Sequence, residues 1–301
     1  MKSPLIGGVR SVALTVPNLA RAEEFYTQVW QLTAADRSTG VLYLRGSGED
    51  HHLLALHEVP GAPRILHVTL RARSAEALER IAGAVADAGG VLEQNVVPAS
   101  DPAGGQHIML RDPHGRRFEV VYADALSPRD VNAPPDRPER LAHVVLNSHD
   151  VPTTQAFLER VLGFVLADRT RIMAFMNCNL DHHSLAIGDT DNNALNHIAF
   201  VMPTLDAVMR GGGRMRAAGY PIEWGPGRHG PGNNAFNYFI DPFGIVIEYT
   251  AEVEQIDNSY RPGWPADWRW PDGRTDQWGI SGPPSARLKE AQRAVCFAAN
   301  I

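Results

Sequence analysis

The sequence predicts an α+β protein built as two tandem domains. Three observations carry this. Short alternating or β-branched runs interleave with two helix-like stretches in each half of the 301 residues. A polar segment holding four prolines, between Asp124 and Glu139, reads as a linker. The order of motifs then restarts beyond it.

Val9–Val16 alternates and is rich in valine, so it reads as a strand, and Pro17-Asn18 ends it. Asn18 is an N-cap for a helix from Leu19 to about Trp30. Val41–Leu44, His51–Leu56 and Ile65–Leu70 read as strands. Ser74 caps a helix over Ala75–Ala88, closed by Gly89-Gly90. Gln106–Leu110 and Arg117–Tyr122 are strands joined by the turn Asp112-Pro113-His114-Gly115. In the second half, Leu141–Leu146 is a strand and Pro152–Leu162 a helix. Met173–Asn177, His183–Ile187 and His197–Val201 are strands, and Thr204–Ala218 is a helix weakened by Gly211–Gly213. Asn237–Ile240 and Ile245–Tyr249 are strands around Asp241-Pro242-Phe243-Gly244.

Four motifs recur at offsets of 130, 131, 130 and 129 residues: Arg10 with Arg140, Asp50-His51-His52 with Asp181-His182-His183, Ile65-Leu66-His67 with Leu195-Asn196-His197, and the two Asp-Pro-X-Gly turns. So little drift marks an internal repeat. The expected divisions are 1–124, a linker at 125–138, a second domain at 139–252, and a tail at 253–301. The tail is dense in Trp, Pro and Gly and is expected to be an ordered, irregular flap.

Composition narrows the function classes. With 44% hydrophobic and 21% charged residues the chain is an ordinary globular protein, and a net charge of −6 without a basic cluster argues against nucleic acid. No apolar run reaches membrane-spanning length. Cys178 and Cys296 lie in no CxxC pair, which removes a disulfide framework and a thiolate metal site; reduced thiols and a cytoplasmic location are expected.

His143, His197 and Glu248 each fall on a strand expected to be buried. A lone strand histidine is more often structural. Two neutral imidazoles and a carboxylate together are the set that holds a non-haem metal on one face and leaves positions open opposite. The first half has Ala13, His67 and Glu119 at the matching positions, so one imidazole is missing and only the second half is expected to hold metal.

The paired repeats, AHVVL at Ala142–Leu146, NHIAF at Asn196–Phe200, and the His, Tyr, DPFG and Glu set across Gly227–Glu248 resemble the type I extradiol ring-cleaving dioxygenases of the vicinal oxygen chelate superfamily. The resemblance covers about residues 8 to 250. It implies two domains of paired βαβββ modules, each a curved mixed sheet enclosing a cavity. It implies Fe(II), or Mn(II) in the same ligands, held by His143, His197 and Glu248. It implies meta cleavage of a catechol by O2 in aromatic catabolism, with His183 as acid–base and with His229 and Tyr238 at the substrate oxygens. It also implies a homo-oligomer, tetramer or larger.

Asn237 departs from the family, which has an apolar residue before the tyrosine. The branch acting on homoprotocatechuate has an arginine where Trp224 stands, and only Arg274 remains of an arginine pair in the tail. A catechol with a neutral or hydrophobic substituent is therefore expected, with Trp224, Phe175, Asn234 and Arg274 as substrate contacts. Two other readings share the fold: a glyoxalase-type metal-dependent isomerase and a metal-free small-molecule binding protein.

Overall fold

The computed structural model describes residues 5–299, so the first four and last two residues of the expected divisions lie outside it. The first half contains β1 (Ile6–Val16), α1 (Leu19–Glu24), β2 (Thr33–Ser38), β3 (Val41–Arg45), β4 (Leu54–Glu58), β5 (Ile65–Ala72), α2 (Ala75–Ala84), β6 (Val91–Pro98), β7 (Gln106–Arg111) and β8 (Arg117–Tyr122). The second half repeats this with β9 (Arg140–Ser148), α3 (Val151–Arg160), β10 (Val165–Arg169), β11 (Met173–Asn177), β12 (Leu185–Asp189), β13 (Ala194–Val201), α4 (Leu205–Ala217), β14 (Trp224–Arg228), β15 (Ala235–Ile240) and β16 (Val246–Ala251). The tail adds α5 (Ala286–Ala291) and β17 (Val295–Cys296).

Each half folds into one mixed sheet. The strand orders are β2-β3-β4-β1-β5-β8-β7-β6 and β10-β11-β12-β9-β13-β16-β15-β14, with β17 added beside β13. The two orders are the same permutation, so the sequence repeat is a repeat of topology. In the second sheet β12 runs parallel to β9 and β16 parallel to β13, while β9 and β13 are antiparallel. Two βαβββ modules thus meet along the β9–β13 seam.

Five strands are absent from the sequence reading: the two-residue β17 in the tail, and β2, β6, β10 and β14, the outer strands of both sheets. Edge strands bury little, so they carry little hydrophobic periodicity; β2 (TAADRS) is exposed at five of its six positions. The first helix also departs from expectation, because α1 passes into a π-helical turn over Phe25–Val29.

The Asp-Pro-X-Gly turns tie each half to the other. The Tyr26 hydroxyl donates to Asp241 Oδ2 at 2.9 Å. Arg116 donates to Asp112 in its own turn and reaches across to the Asn147 carbonyl and the Thr154 hydroxyl. Beside them Trp30 is fully buried and stacks on Tyr249 with ring centroids 3.6 Å apart. The core is accordingly one continuous body of side chains from both sheets.

The glycines of α4 have a packing purpose. A Cβ on Gly211 would sit 2.7 Å from the Tyr249 ring, and one on Gly212 would sit 2.9 Å from the Asn237 amide. Small residues let α4 lie close on β15 and β16, which outweighs their cost in helix propensity. Asn237 faces this helix, donating to the Val208 carbonyl. Its polar side chain is thus used on the face of the sheet away from the cavity.

Candidate metal centre

Strand register brings the site together. Trp224 pairs with Tyr238, Tyr238 with Glu248, Glu248 with Ala199, and Ala199 with His143. Directly paired residues point to the same face, and so do residues two apart on one strand. His197 therefore joins this row from position 199 minus two. A second row on that face runs Phe175, Ala186, Val145 and His197.

The ligand atoms of His143, His197 and Glu248 lie within 4.8 Å of one another, and all three residues are buried. Glu248 Oε2 stands 3.3 Å from His143 Nε2 and 3.2 Å from His197 Nε2, yet it accepts no hydrogen bond. An orphaned carboxylate oxygen facing two imidazole nitrogens costs free energy unless a cation lies among them. Burial works to raise the Glu248 carboxyl, but the imidazoles of His143, His197 and His229 outweigh it and hold the group well below the usual carboxylate range. His197 is lowered to about 4, first by burial, against the pull of Glu248. An ionised carboxylate beside the neutral His197 imidazole is the protonation state that binds metal.

Outer contacts orient these ligands. His197 Nδ1 lies 2.8 Å from Asn196 Oδ1, an acceptor, so Nδ1 carries the proton and Nε2 keeps its lone pair for the centre. Asn196 in turn donates to Asn147, which donates to the Gln292 carbonyl in the tail.

The first sheet fills the same place differently. Thr69 stands opposite Glu119, where Ala199 stands opposite Glu248. The Thr69 hydroxyl donates to Glu119 Oε2 at 2.8 Å, and His107 Nδ1 donates to Oε1 at 2.6 Å. Both oxygens of Glu119 are satisfied by protein. This is the structural role of the carboxylate that the repeat keeps without a metal triad.

His182 and His183 fall in the bend before β12 rather than on the strand, so strand alternation does not separate them. A chain of hydrogen bonds does. His182 Nε2 is 2.7 Å from Asp168 Oδ2, and His182 Nδ1 is 3.1 Å from His183 Nδ1. A carboxylate only accepts, so the proton sits on His182 Nε2. In that tautomer His182 accepts at Nδ1 from His183, which leaves His183 Nε2 bare for the cavity. Burial first, and then His143, His182 and His229, push His183 well below the ordinary imidazole range. Gly232, at φ +77°, makes room: a Cβ there would meet the His183 ring at 3.0 Å. Asp168 was missed in the sequence because β10 was missed.

His229 Nε2 lies 3.2 Å from the Tyr238 hydroxyl, which lies 3.3 Å from His197 Nε2. Burial, and next Glu248, raise the Tyr238 phenol well above its usual value, so it remains a proton donor. A cavity of about 1100 Å³ opens over these groups, lined also by Phe175, Trp224 and Arg274. Asn234, expected at the substrate, sits elsewhere. It is fully buried behind Glu248, and its amide donates to Thr250 Oγ1 at 2.7 Å and toward Glu248 Oε1 at 3.4 Å. Its backbone precedes β15, which turns the side chain under the ligand.

The tail roofs the cavity. Trp268, Trp270 and Arg274 line it, and Trp224 Nε1 donates to Thr275 Oγ1 at 2.9 Å, tying roof to wall.

A family model described as "Glyoxalase/Bleomycin resistance protein/Dioxygenase superfamily" matches residues 8–120 and 140–249. The chain belongs to this superfamily. Within it, the chain is 30% identical over 205 residues to metapyrocatechase 2 of Cupriavidus necator, covering 65% of this chain and 59% of that relative. It is 26% identical over 256 residues to the manganese-dependent 2,3-dihydroxybiphenyl 1,2-dioxygenase of Geobacillus genomosp. 3, covering 77% and 80%. Among solved structures, the Mn(II)-bound glyoxalase from Novosphingobium aromaticivorans superposes with a TM-score of 0.85 at 30% identity, over 95% of this chain and 94% of that one. Extradiol dioxygenases are thus among its superfamily relatives, one named as manganese-dependent and another, from Rhodococcus jostii, as iron-dependent. No helix among the described residues is long and apolar enough to cross a membrane.

Proposed function

We propose that the chain is an extradiol dioxygenase, opening the ring of a catechol beside its hydroxyls with O2 at Fe(II) or Mn(II), and keeping both oxygen atoms in a hydroxymuconic semialdehyde-type product. The observation that carries this is Glu248 Oε2, orphaned between two imidazoles, with the His183 ring 4.3 Å from that of His143 and the Tyr238 ring 4.9 Å from that of His197. A metal held by His143, His197 and Glu248 would supply electrons from catechol to O2 and hold both reactants in contact. The protein's own groups manage protons. His183 Nε2, bare in the resting tautomer, takes a proton from the catechol and returns it as the O–O bond breaks. Tyr238 and His229 orient the substrate oxygens. Phe175, 5.0 Å from His183 edge to face, and Trp224 hold the ring plane and exclude water.

The experiment is anaerobic loading with Fe(II) or Mn(II), followed by O2 uptake with catechol. His183→Phe is expected to keep metal and catechol binding while turnover falls by about 10²–10⁴-fold. Metal bound without O2 uptake on any catechol would overturn the proposal. The name of the Novosphingobium relative favours a second reading, a glyoxalase-type isomerase. Conversion of a methylglyoxal–glutathione adduct without O2 would support that one instead.

A further inference from the structure

The cavity is much larger than a single catechol ring. At about 1100 Å³ it reaches the top of the roughly 300–1,000 Å³ range that houses drug-sized ligands. Val145, Met173, Phe175, Trp224 and Trp268 give it an apolar wall. Its mouth leaves Ile172 at 65% exposed and Trp270 at 36%, apolar surface that a ligand could cover. The same mouth carries Arg171, Arg269, Arg274 and Lys289. None of these four side chains has a carboxylate or hydrogen-bond partner among the described residues. By contrast, Asp189, also on the lining, has Arg169 at 3.9 Å and Arg293 is paired with Asp191. Asp272 is the one lining carboxylate without a cation partner among the described residues, so a chain of net charge −6 sets four unpaired cations against one unpaired carboxylate at this opening. Such a ring focuses positive potential into the cavity and draws anions to it.

We infer that the substrate is an elongated catechol acid: a catechol at the metal, a second aromatic or comparably apolar segment along Met173, Trp268 and Trp270, and a terminal carboxylate at Arg171 and Arg269. This rests on the dioxygenase reading and deepens it. It also joins two facts that pull apart in the sequence. The wall beside the reacting ring is the neutral Trp224, so a carboxylate attached directly to that ring finds no cation at position 224, and only Arg274, next to the Thr275 that Trp224 holds, stands near that wall. A carboxylate one ring further out does.

The test is a charge series measured two ways. 2,3-Dihydroxybiphenyl, its analogue bearing a carboxylate para on the distal ring, and 3,4-dihydroxybenzoate are titrated anaerobically into Mn(II)-loaded protein by calorimetry, and kcat/KM is measured for each. The distal acid is expected to bind about tenfold more tightly than the neutral biaryl, the scale of one charge-assisted contact, and that gain is expected to shrink with added salt. In an Arg171→Gln/Arg269→Gln variant the ratio of acid to neutral affinity should fall to about one. Equal or weaker binding of the distal acid by the wild-type protein would overturn the inference without any variant. Acid-selective binding with no O2 consumption would keep the elongated acid as the cavity's ligand while overturning the dioxygenase reading, and with it the ligand's role as a dioxygenase substrate.

Discussion

At the scale of single residues, the two halves are a natural comparison of what a buried carboxylate needs. Glu119 and Glu248 occupy equivalent positions on β8 and β16. One is satisfied by Thr69 and His107; the other keeps an oxygen free. The difference at the paired position is a hydroxyl and a methyl, threonine against alanine. Ala199→Thr is therefore expected to supply Glu248 with an internal donor and to lower metal affinity about 10–100-fold, the range for changes around a metal ligand. Metal content after dialysis against graded chelator would check it, with unchanged retention counting against the comparison. Glu248 alone was weak evidence in the sequence, because its counterpart has no metal triad. The hydroxyl opposite was not legible there, since pairing across strands depends on register.

At the scale of elements, the two Asp-Pro-X-Gly turns serve as docking points for the opposite half. Asp241 accepts from the Phe243 and Ile245 backbone at 2.8 Å and from Tyr26 at 2.9 Å. Trp30 adds the stacked contact on Tyr249 and an edge contact to Phe200 at 5.3 Å between centroids. Since Tyr249 neighbours Glu248 on β16, the first half buttresses the strand that carries the ligand. Trp30→Ala is expected to cost about 3–5 kcal/mol, as for other large buried aromatics, and Tyr26→Phe about 1 kcal/mol. Urea denaturation would measure both. A loss below about 1 kcal/mol for Trp30→Ala would mean that the halves hold together by other contacts.

For the whole molecule, acid should unfold the first half's polar cluster early. His52 is 1% exposed, and its imidazole is lowered from 6.5 to about 2, first by burial and then by Arg10 and His51. The folded chain keeps it neutral while the unfolded chain protonates it near pH 6.5. The unfolded state thus binds more protons below that pH, and stability falls as pH drops, by about 1.4 kcal/mol per unit for one such group. Above pH 6.5 the term is flat. The gap between denaturation midpoints at pH 7.5 and 5.5 should be smaller in His52→Gln than in the wild-type protein, the remainder belonging to other buried imidazoles such as His197; equal shifts in both would place the acid sensitivity elsewhere.

Much of this protein was legible before any coordinates. The repeat, the division into halves, the inner strands and His143, His197 and Glu248 all rest on local patterns: alternation, turns, and residue types whose burial demands a partner. The outer strands were not legible, because half-exposed strands carry no strong periodicity. Asn234 was misplaced and Asp168 overlooked, because a side chain's neighbours depend on which strands pair and in what register. The tail's tryptophans suggested a cover, but the cationic mouth they share with Arg171 and Lys289 joins residues more than a hundred positions apart. Local chemistry named the metal ligands; long-range packing set their tautomers, left one oxygen of Glu248 bare and gave the cavity its shape.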